Sequence, residues 1–307
     1  MTSFGADSGG GSLGGGSLGA VFRPQLPPER LRSVVRAADE AGLNQLWLWE
    51  DCFLESGIAT AAAALAWSER ITVGVGLLPV PLRNVALTTM ETATLRRLFP
   101  GRFLVGLGHG VQDWMGQVGA RVDSPVTLLR EHLDAMRALL RGERVTSKGR
   151  YVQLDGVALD WPPPTAAADT AVYAGARGPR SLRLSGEAAD GTVLDANTSL
   201  AGIRRARQLI EEGRSAAGRT EHHQVVHYLN TATGPDAATR LRAELEREGH
   251  DPATGPGVAG DAATVAEAVR QALDAGADTV VLQPTADEPD PEGFVRFAAQ
   301  EVSPLLA

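Results

Sequence analysis

Apolar positions along this chain alternate between a period of two and a period of three to four. From Leu18 onward, short β-branched or aliphatic runs trade places with longer segments of helical spacing, the pattern of parallel βα units. LGAVF leads to PPERLRSVVRAADEAG, where Pro27 and Pro28 mark a helix start and Gly42 its end. QLWLWE reads as a second strand, and the alanine-rich helix IATAAAALAW leads from it to the third, ITVGVGLLPVP. Asn84 is placed to cap a helix from Val85 to Phe99, and Gly101 ends it before the fourth strand, RFLVGLGHG.

A helix over about 125 to 141 comes next, and then a polar stretch, RYVQLDGVALDWPPP, that reads as a small hairpin insertion closed by Pro162 to Pro164. TAVYAGA is the fifth strand, followed by a helix from Pro179 to Ala189. GTVLDAN is the sixth, with a helix through Ile203 to Ala217, and QVVHYLNTA is the seventh. Helices at Ala237–Arg247 and near Thr264–Ala275 precede TVVLQPT, the eighth, and one terminal helix finishes the chain. Eight strands in strict alternation favour a closed α/β barrel, the (β/α)8 TIM barrel, over an open doubly wound sheet. The insertion falls between helix 4 and strand 5.

The opening GADSGGGSLGGGSLG twice fits the dinucleotide pattern G-x-G-x-x-G, but no strand precedes it and a strand-like run follows, so the pattern has no mechanism here. Residues 1 to 16 read as a flexible Gly/Ser-rich tail and 17 to 307 as one domain. With 307 residues and 43% hydrophobic content, a large core is available, and no run of apolar residues is long enough to span a membrane. A formal charge of −8 without a basic cluster argues against nucleic acid or an anionic membrane surface as partner. Lys148 is the only lysine, so arginines must carry any recognition of anions. The single cysteine and the absence of a signal-like N-terminus are those expected of a cytoplasmic protein.

In a TIM barrel the working groups sit at the C-terminal ends of the strands. Those ends carry Glu50 and Asp51, Gly76 to Pro79, Gly108 with His109 and Gly110, Gly175 to Gly178, Asp195 and Asn197, Tyr228 and Asn230, and Gln283. Repeated glycine there suggests main chain lying close to a flat ligand. In ARGPRSL, Gly178 permits an unusual backbone angle and Pro179 suits the first helical position. The helix amides, the Ser181 hydroxyl and the Arg177 guanidinium could hold a phosphate; an ordinary helix start with solvated arginines is the alternative.

Three ordered blocks, AGLNQLWLWED, RITVGVGLLPVPLRNVALTTMETATLRRLFPGRFLVGLGHG and VYAGARGPRSLRLSGEAADGTVL, resemble the luciferase-like family of barrel oxidoreductases, and most closely its branch dependent on the deazaflavin coenzyme F420. The resemblance implies a bulge in strand three with a non-prolyl cis peptide at Gly76–Leu77 backing the coenzyme's middle ring, and amides near Ala176, Arg177 and Gly178 meeting its phosphate. It also implies hydride transfer between F420 and a small organic substrate, and a homodimer through the helices flanking strands two and three. An FMN-dependent monooxygenase fed by a partner flavin reductase, and a carrier without catalysis, are the alternative readings.

F420-dependent relatives such as the sugar-phosphate dehydrogenases end strand two in Asp-His, where this chain has Glu50 and Asp51. If the two carboxylates crowd together, repulsion and desolvation raise one pKa and supply a proton donor; Glu50 is the first choice, with Asp51 turned outward as a cap the other fate. Val111 stands where those dehydrogenases carry a catalytic glutamate, leaving His109 as a substitute acid or base and Trp114 as a wall of the pocket. Cys52 has no neighbouring base to activate it and reads as a small buried side chain. His223 and His227 share a strand face without an acid or cysteine to complete a metal site, so no metal is expected. The insertion at 151 to 164 and the polar loop at 113 to 124 are expected to shape the substrate pocket.

Overall fold

Eight parallel strands close on one another in the computed structural model, which describes residues 17–164, 170–251 and 255–306. The flexible tail expected at 1 to 16 lies outside the described residues. The barrel strands are β1 (Ser17–Val21), β2 (Gln45–Leu48), β3 (Thr72–Pro79), β4 (Phe103–Gly108), β7 (Tyr173–Gly175), β8 (Gly191–Leu194), β9 (Gln224–Ala232) and β11 (Thr279–Pro284). Each pairs in parallel with the next in this order, and β11 pairs with β1 to shut the cylinder. An antiparallel hairpin of β5 (Val145–Lys148) and β6 (Gln153–Val157) forms the insertion, and a two-residue strand, β10 (Val258–Ala259), pairs in parallel with the end of β9. The hairpin's first arm precedes the stretch that marked it, because VTSK carries no apolar alternation to announce a strand.

The connecting helices are α1 (Leu31–Ala41), α2 (Gly57–Ala66), α3 (Val85–Leu98), α4 (Gln112–Gln117), α5 (Pro125–Leu140), α6 (Pro179–Ala188), α7 (Leu200–Ala216), α8 (Ala237–Arg247), α9 (Ala262–Asp274) and α10 (Pro291–Phe297). In α1, Leu31, Val34, Val35 and Ala38 fall on one face and are buried, and Gly42 takes the left-handed φ of 82° that stops the helix. Asn84 caps α3 by accepting the Ala86 amide at 2.9 Å. The short α4 sits inside the loop expected to be irregular; with one buried residue, Met115, it has almost no apolar period to read.

Two cores result. Inward residues from alternate strand positions, including Val21, Trp47, Tyr173, Val193, Val226, Tyr228 and Val281, fill the barrel, while a larger apolar layer packs strands against helices. The period of two places Trp49 on the same strand face as Trp47 and one layer higher, where it packs on that interior cluster at the barrel mouth. Among the described residues no helix is long and apolar enough to cross a membrane.

Candidate functional site

The C-terminal ends of the strands surround a cleft of about 560 Å³. Its floor is the middle of β3, where the register with β4 slips between Val75 and Leu78 and the Gly76–Leu77 peptide is cis. A second cis peptide, Cys52–Phe53, lies in the loop after β2. Leu77 presents one side to the cleft and lodges its methyl groups in a notch left by two glycines. A Cβ on Gly108 would stand 2.4 Å from Leu77 Cδ2, and one on Gly175 would stand 2.2 Å from it. Gly108 is therefore buried behind Leu77 instead of on the cleft surface, and the space its missing side chain provides is taken by leucine. From below, the buried Tyr228 hydroxyl donates to the Gly76 carbonyl at 3.2 Å.

One end of the cleft is polar and rich in main-chain donors. Ala176, Arg177 and Gly178 turn from β7 into α6, whose N-cap, Gly178, has no side-chain cap. The Ala176 amide is already given to the Val193 carbonyl, but those of Arg177, Gly178, Arg180 and Ser181 have no backbone acceptor among the described residues. Gly178 has an ordinary extended φ of −82°, so glycine is not required there for an unusual angle; a Cβ would meet open space. The Arg177 guanidinium pairs with Asp195 from the end of β8. Ser181 Oγ lies 2.8 Å from His109 Nε2, and burial, partly offset by the Pro125 backbone, holds the imidazole below its usual pKa, so His109 is neutral at pH 7. This end suits an anionic oxygen group: unpaired amides at a helix start, a serine hydroxyl and a neutral imidazole.

The other end carries the acids. Glu50 and Asp51 do not share one repulsive site. Glu50 accepts the Gly57 amide at 2.8 Å, at the start of α2, and pairs with Arg83 at 2.7 Å; Arg83 in turn reaches Glu91 at 2.8 Å. The proton donor expected at Glu50 is thus replaced by a satisfied ion pair. Asp51 does not turn outward. It faces the cleft, Trp49 Nε1 donates to its Oδ2 at 3.0 Å, and burial raises its pKa above the ordinary carboxyl value, partly offset by that hydrogen bond and by the Arg23 charge. Arg23, just past β1, had no sequence signal. It is buried with Glu244 of α8 at 2.6 Å and donates to the Pro284 carbonyl at 3.0 Å. Its guanidinium lies 5.8 Å from the Trp49 ring, which also meets the Tyr228 ring at 5.9 Å. Asn230 links Gln283 and Glu248 through bonds of 2.8 and 3.1 Å.

Cys52 is half-buried, and burial together with the charges of Glu50 and Asp51 pushes its thiol upward, away from nucleophilic use. Val111 and Trp114 both reach the cleft wall. His223 bonds Thr192 at 2.8 Å, and neither it nor His227 belongs to a metal-binding cluster; among the described residues there is none.

The family model for luciferase-like monooxygenase matches residues 6–247. A 5,10-methylenetetrahydromethanopterin reductase of Methanolobus tindarius is 26% identical over 257 residues, covering 79% of this chain and 78% of the relative. An F420-dependent glucose-6-phosphate dehydrogenase of Kineococcus radiotolerans is 30% identical over 221 residues, 64% of this chain and 61% of that one. The solved coenzyme F420 dependent tetrahydromethanopterin reductase of Methanopyrus kandleri superposes with a TM-score of 0.82 at 23% identity, covering 95% of this chain and 100% of its own, a likeness of fold.

Proposed function

Since this chain belongs to the luciferase-like monooxygenase family, we propose that its cleft is the active site of an F420-dependent enzyme in which Asp51 exchanges a proton with a small organic substrate as a hydride passes between that substrate and the coenzyme. The chain is an oxidoreductase of the F420/FMN type acting on a small molecule. F420 is preferred to FMN because the curated relatives are named for F420 or for methanopterin reduction. The observation that carries the reading is the meeting, in one cleft, of an apolar floor at Gly76–Leu77, unpaired amides at one end and a protonatable carboxyl at the other.

These residues fit the coenzyme. Leu77 and the main chain at 76–77 offer an apolar seat for a flat ring, and the amides from Arg177 to Ser181, the Ser181 hydroxyl and His109 offer hydrogen bonds to a phosphate. When bound, F420 supplies a carbon that gives or takes hydride. The protein's own part is orientation and the proton. In reduction, the neutral Asp51 carboxyl gives its proton to the substrate's heteroatom, or to its α-carbon in an enone, and is left as carboxylate; in oxidation the carboxylate takes a hydroxyl proton. Glu50 with Arg83 holds the strand-two loop in place beneath Asp51. We further propose a cytoplasmic homodimer, supported by the lone cysteine and by exposed Leu87 and Met90 on α3 beside Leu82; mass in solution checks the dimer.

The test is Asp51→Asn assayed with reduced F420 against a panel of ketones, imines and enones. Loss of kcat/KM by about 100-fold or more, with F420 affinity kept, is expected of a general acid. Unchanged turnover would reject Asp51, and a wild-type protein that binds F420 but turns over nothing in the panel would point to a carrier.

A further inference from the structure

Asp51, the proton donor proposed for this cleft, does not stand alone. Only one of its carboxyl oxygens is engaged by the protein: Oδ2 accepts the indole N–H of Trp49 at 3.0 Å, while Oδ1 has no protein partner among the described residues. The indole that makes this bond is braced by two neighbours. Arg23 lies over it at 5.8 Å, and Tyr228 packs against it at 5.9 Å with an angle of 33° between the rings. Each brace is itself immobilised, Arg23 by Glu244 and the Pro284 carbonyl, and Tyr228 by its bond to the Gly76 carbonyl. Pinned in this way, the indole has a fixed direction for its only donor.

We propose that Trp49 is a positioning residue: its N–H locks Asp51 Oδ2, turns Oδ1 toward the substrate, and sets the pH at which the carboxyl gives up its proton. The role has two physical parts. An indole N–H can only donate, so it favours the carboxylate over the protonated acid at Oδ2 and leaves Oδ1 as the oxygen that carries the proton. Desolvation acts in the opposite direction and favours the acid. Trp49 therefore works against desolvation, on the side of the carboxylate, as the Arg23 charge also does.

Of the other charged or titratable groups around Asp51, Arg23, past β1, also favours the carboxylate, but through its charge alone, without a hydrogen bond to Asp51, and that charge is paired with Glu244 of α8. Neighbouring Glu50 is matched by Arg83, past β3. The Cys52 and Tyr228 protons are held by raised pKa values, and burial keeps His109, at the end of β4, neutral. Glu248, after α8, is tied to Asn230. Among all of these, only Trp49 hydrogen-bonds the carboxyl.

This inference rests on proton transfer by Asp51, and its test reads Asp51 directly. Trp49→Phe removes the donor and keeps an aromatic ring. Site-specific replacement by 3-benzothienylalanine keeps the whole bicycle without the N–H, which guards against a Phe variant that fails to fold. In protein carrying aspartate labelled with 13C at the side-chain carboxyl, with Asp51→Asn to assign the signal, the Asp51 midpoint is expected to rise by about one pH unit in both proteins. The fall of reductive kcat/KM with rising pH should move upward by the same amount. An unmoved carboxyl midpoint, with activity lowered equally at every pH, would overturn the proposal and leave Trp49 as packing. The carboxyl titration can be measured even in a protein inert toward F420, so the two assignments fail separately.

Discussion

Gly175→Ala tests how the floor of the cleft is built. The new Cβ would lie 2.2 Å from Leu77 Cδ2 but 3.5 and 3.7 Å from Leu77 Cγ and Cβ, so the conflict is with one methyl group. Restoring ordinary carbon contact near 3.6 Å requires that methyl to move by roughly 1.4 Å. It cannot retreat deeper, because the other side of the notch is Gly108, where a Cβ would already stand only 2.4 Å from the same atom. The open direction is the cleft that Leu77 lines. Overpacking of this kind costs about 1–3 kcal/mol, which the free protein avoids by letting Leu77 turn into empty space. The coenzyme must push it back, so the cost appears in binding as a loss of about 5- to 150-fold in F420 affinity. Equilibrium titration with F420 measures it, and urea unfolding should show the fold itself changed by less than about 1 kcal/mol. Leu77→Ala should relieve the conflict, so that Gly175→Ala adds no further loss in that background. A folded Gly175→Ala protein with wild-type affinity, or a loss that persists undiminished beside Leu77→Ala, would refute the reasoning.

Further outcomes follow from the charges. Glu50→Gln breaks a largely buried ion pair and should cost about 1–3 kcal/mol in urea unfolding without moving the pH profile of turnover, which we have proposed to belong to Asp51. Glu55 has a buried, unpartnered Oε1 and a carboxyl pushed up to about 7 by desolvation and by Glu29. Its proton favours the folded state, so that contribution is present at pH 5 and lost as pH rises through 7. Glu55→Gln should therefore stabilise the protein at pH 8, on the order of 1 kcal/mol after allowing for its partial exposure, and do little at pH 5. His223 and His227 are held down to about 3 and about 4 by burial, reinforced at His223 by nearby arginines. The unfolded chain takes up protons at these sites first, so stability falls as pH drops from about 6.5 toward 4, by up to about 1.4 kcal/mol per pH unit for each histidine. Urea midpoints across that range should show this slope, and His223→Asn should flatten it.

The barrel was legible because its signal is local. Each strand is a short apolar run, each helix a period of 3.6, and the punctuation at Pro27, Gly42, Asn84 and Gly101 acts on its immediate neighbours. The site was legible in position and less so in role. The strand-end rule brought Glu50, Asp51, His109 and the turn at 176 to 181 to one mouth, and the cis peptide at Gly76–Leu77 came with the family resemblance. Partners far apart in the chain were not readable. Glu50 meets Arg83 from 33 positions away, Arg23 meets Glu244 from 221, and His109 meets Ser181 from 72; each of these bonds decides the charge or orientation of a group that looks free in isolation. The glycines at 108 and 175 show the same limit, since a missing Cβ says only that something fills the space, and here that something is Leu77.

The most direct check of F420 binding at the barrel mouth is a paired titration of the purified protein with F420 and with FMN, followed by protein fluorescence. Saturable binding of F420, tighter than FMN and weakened by Gly175→Ala, is the result expected. Tight FMN binding without F420 binding, or no binding of either at the barrel mouth, would contradict it.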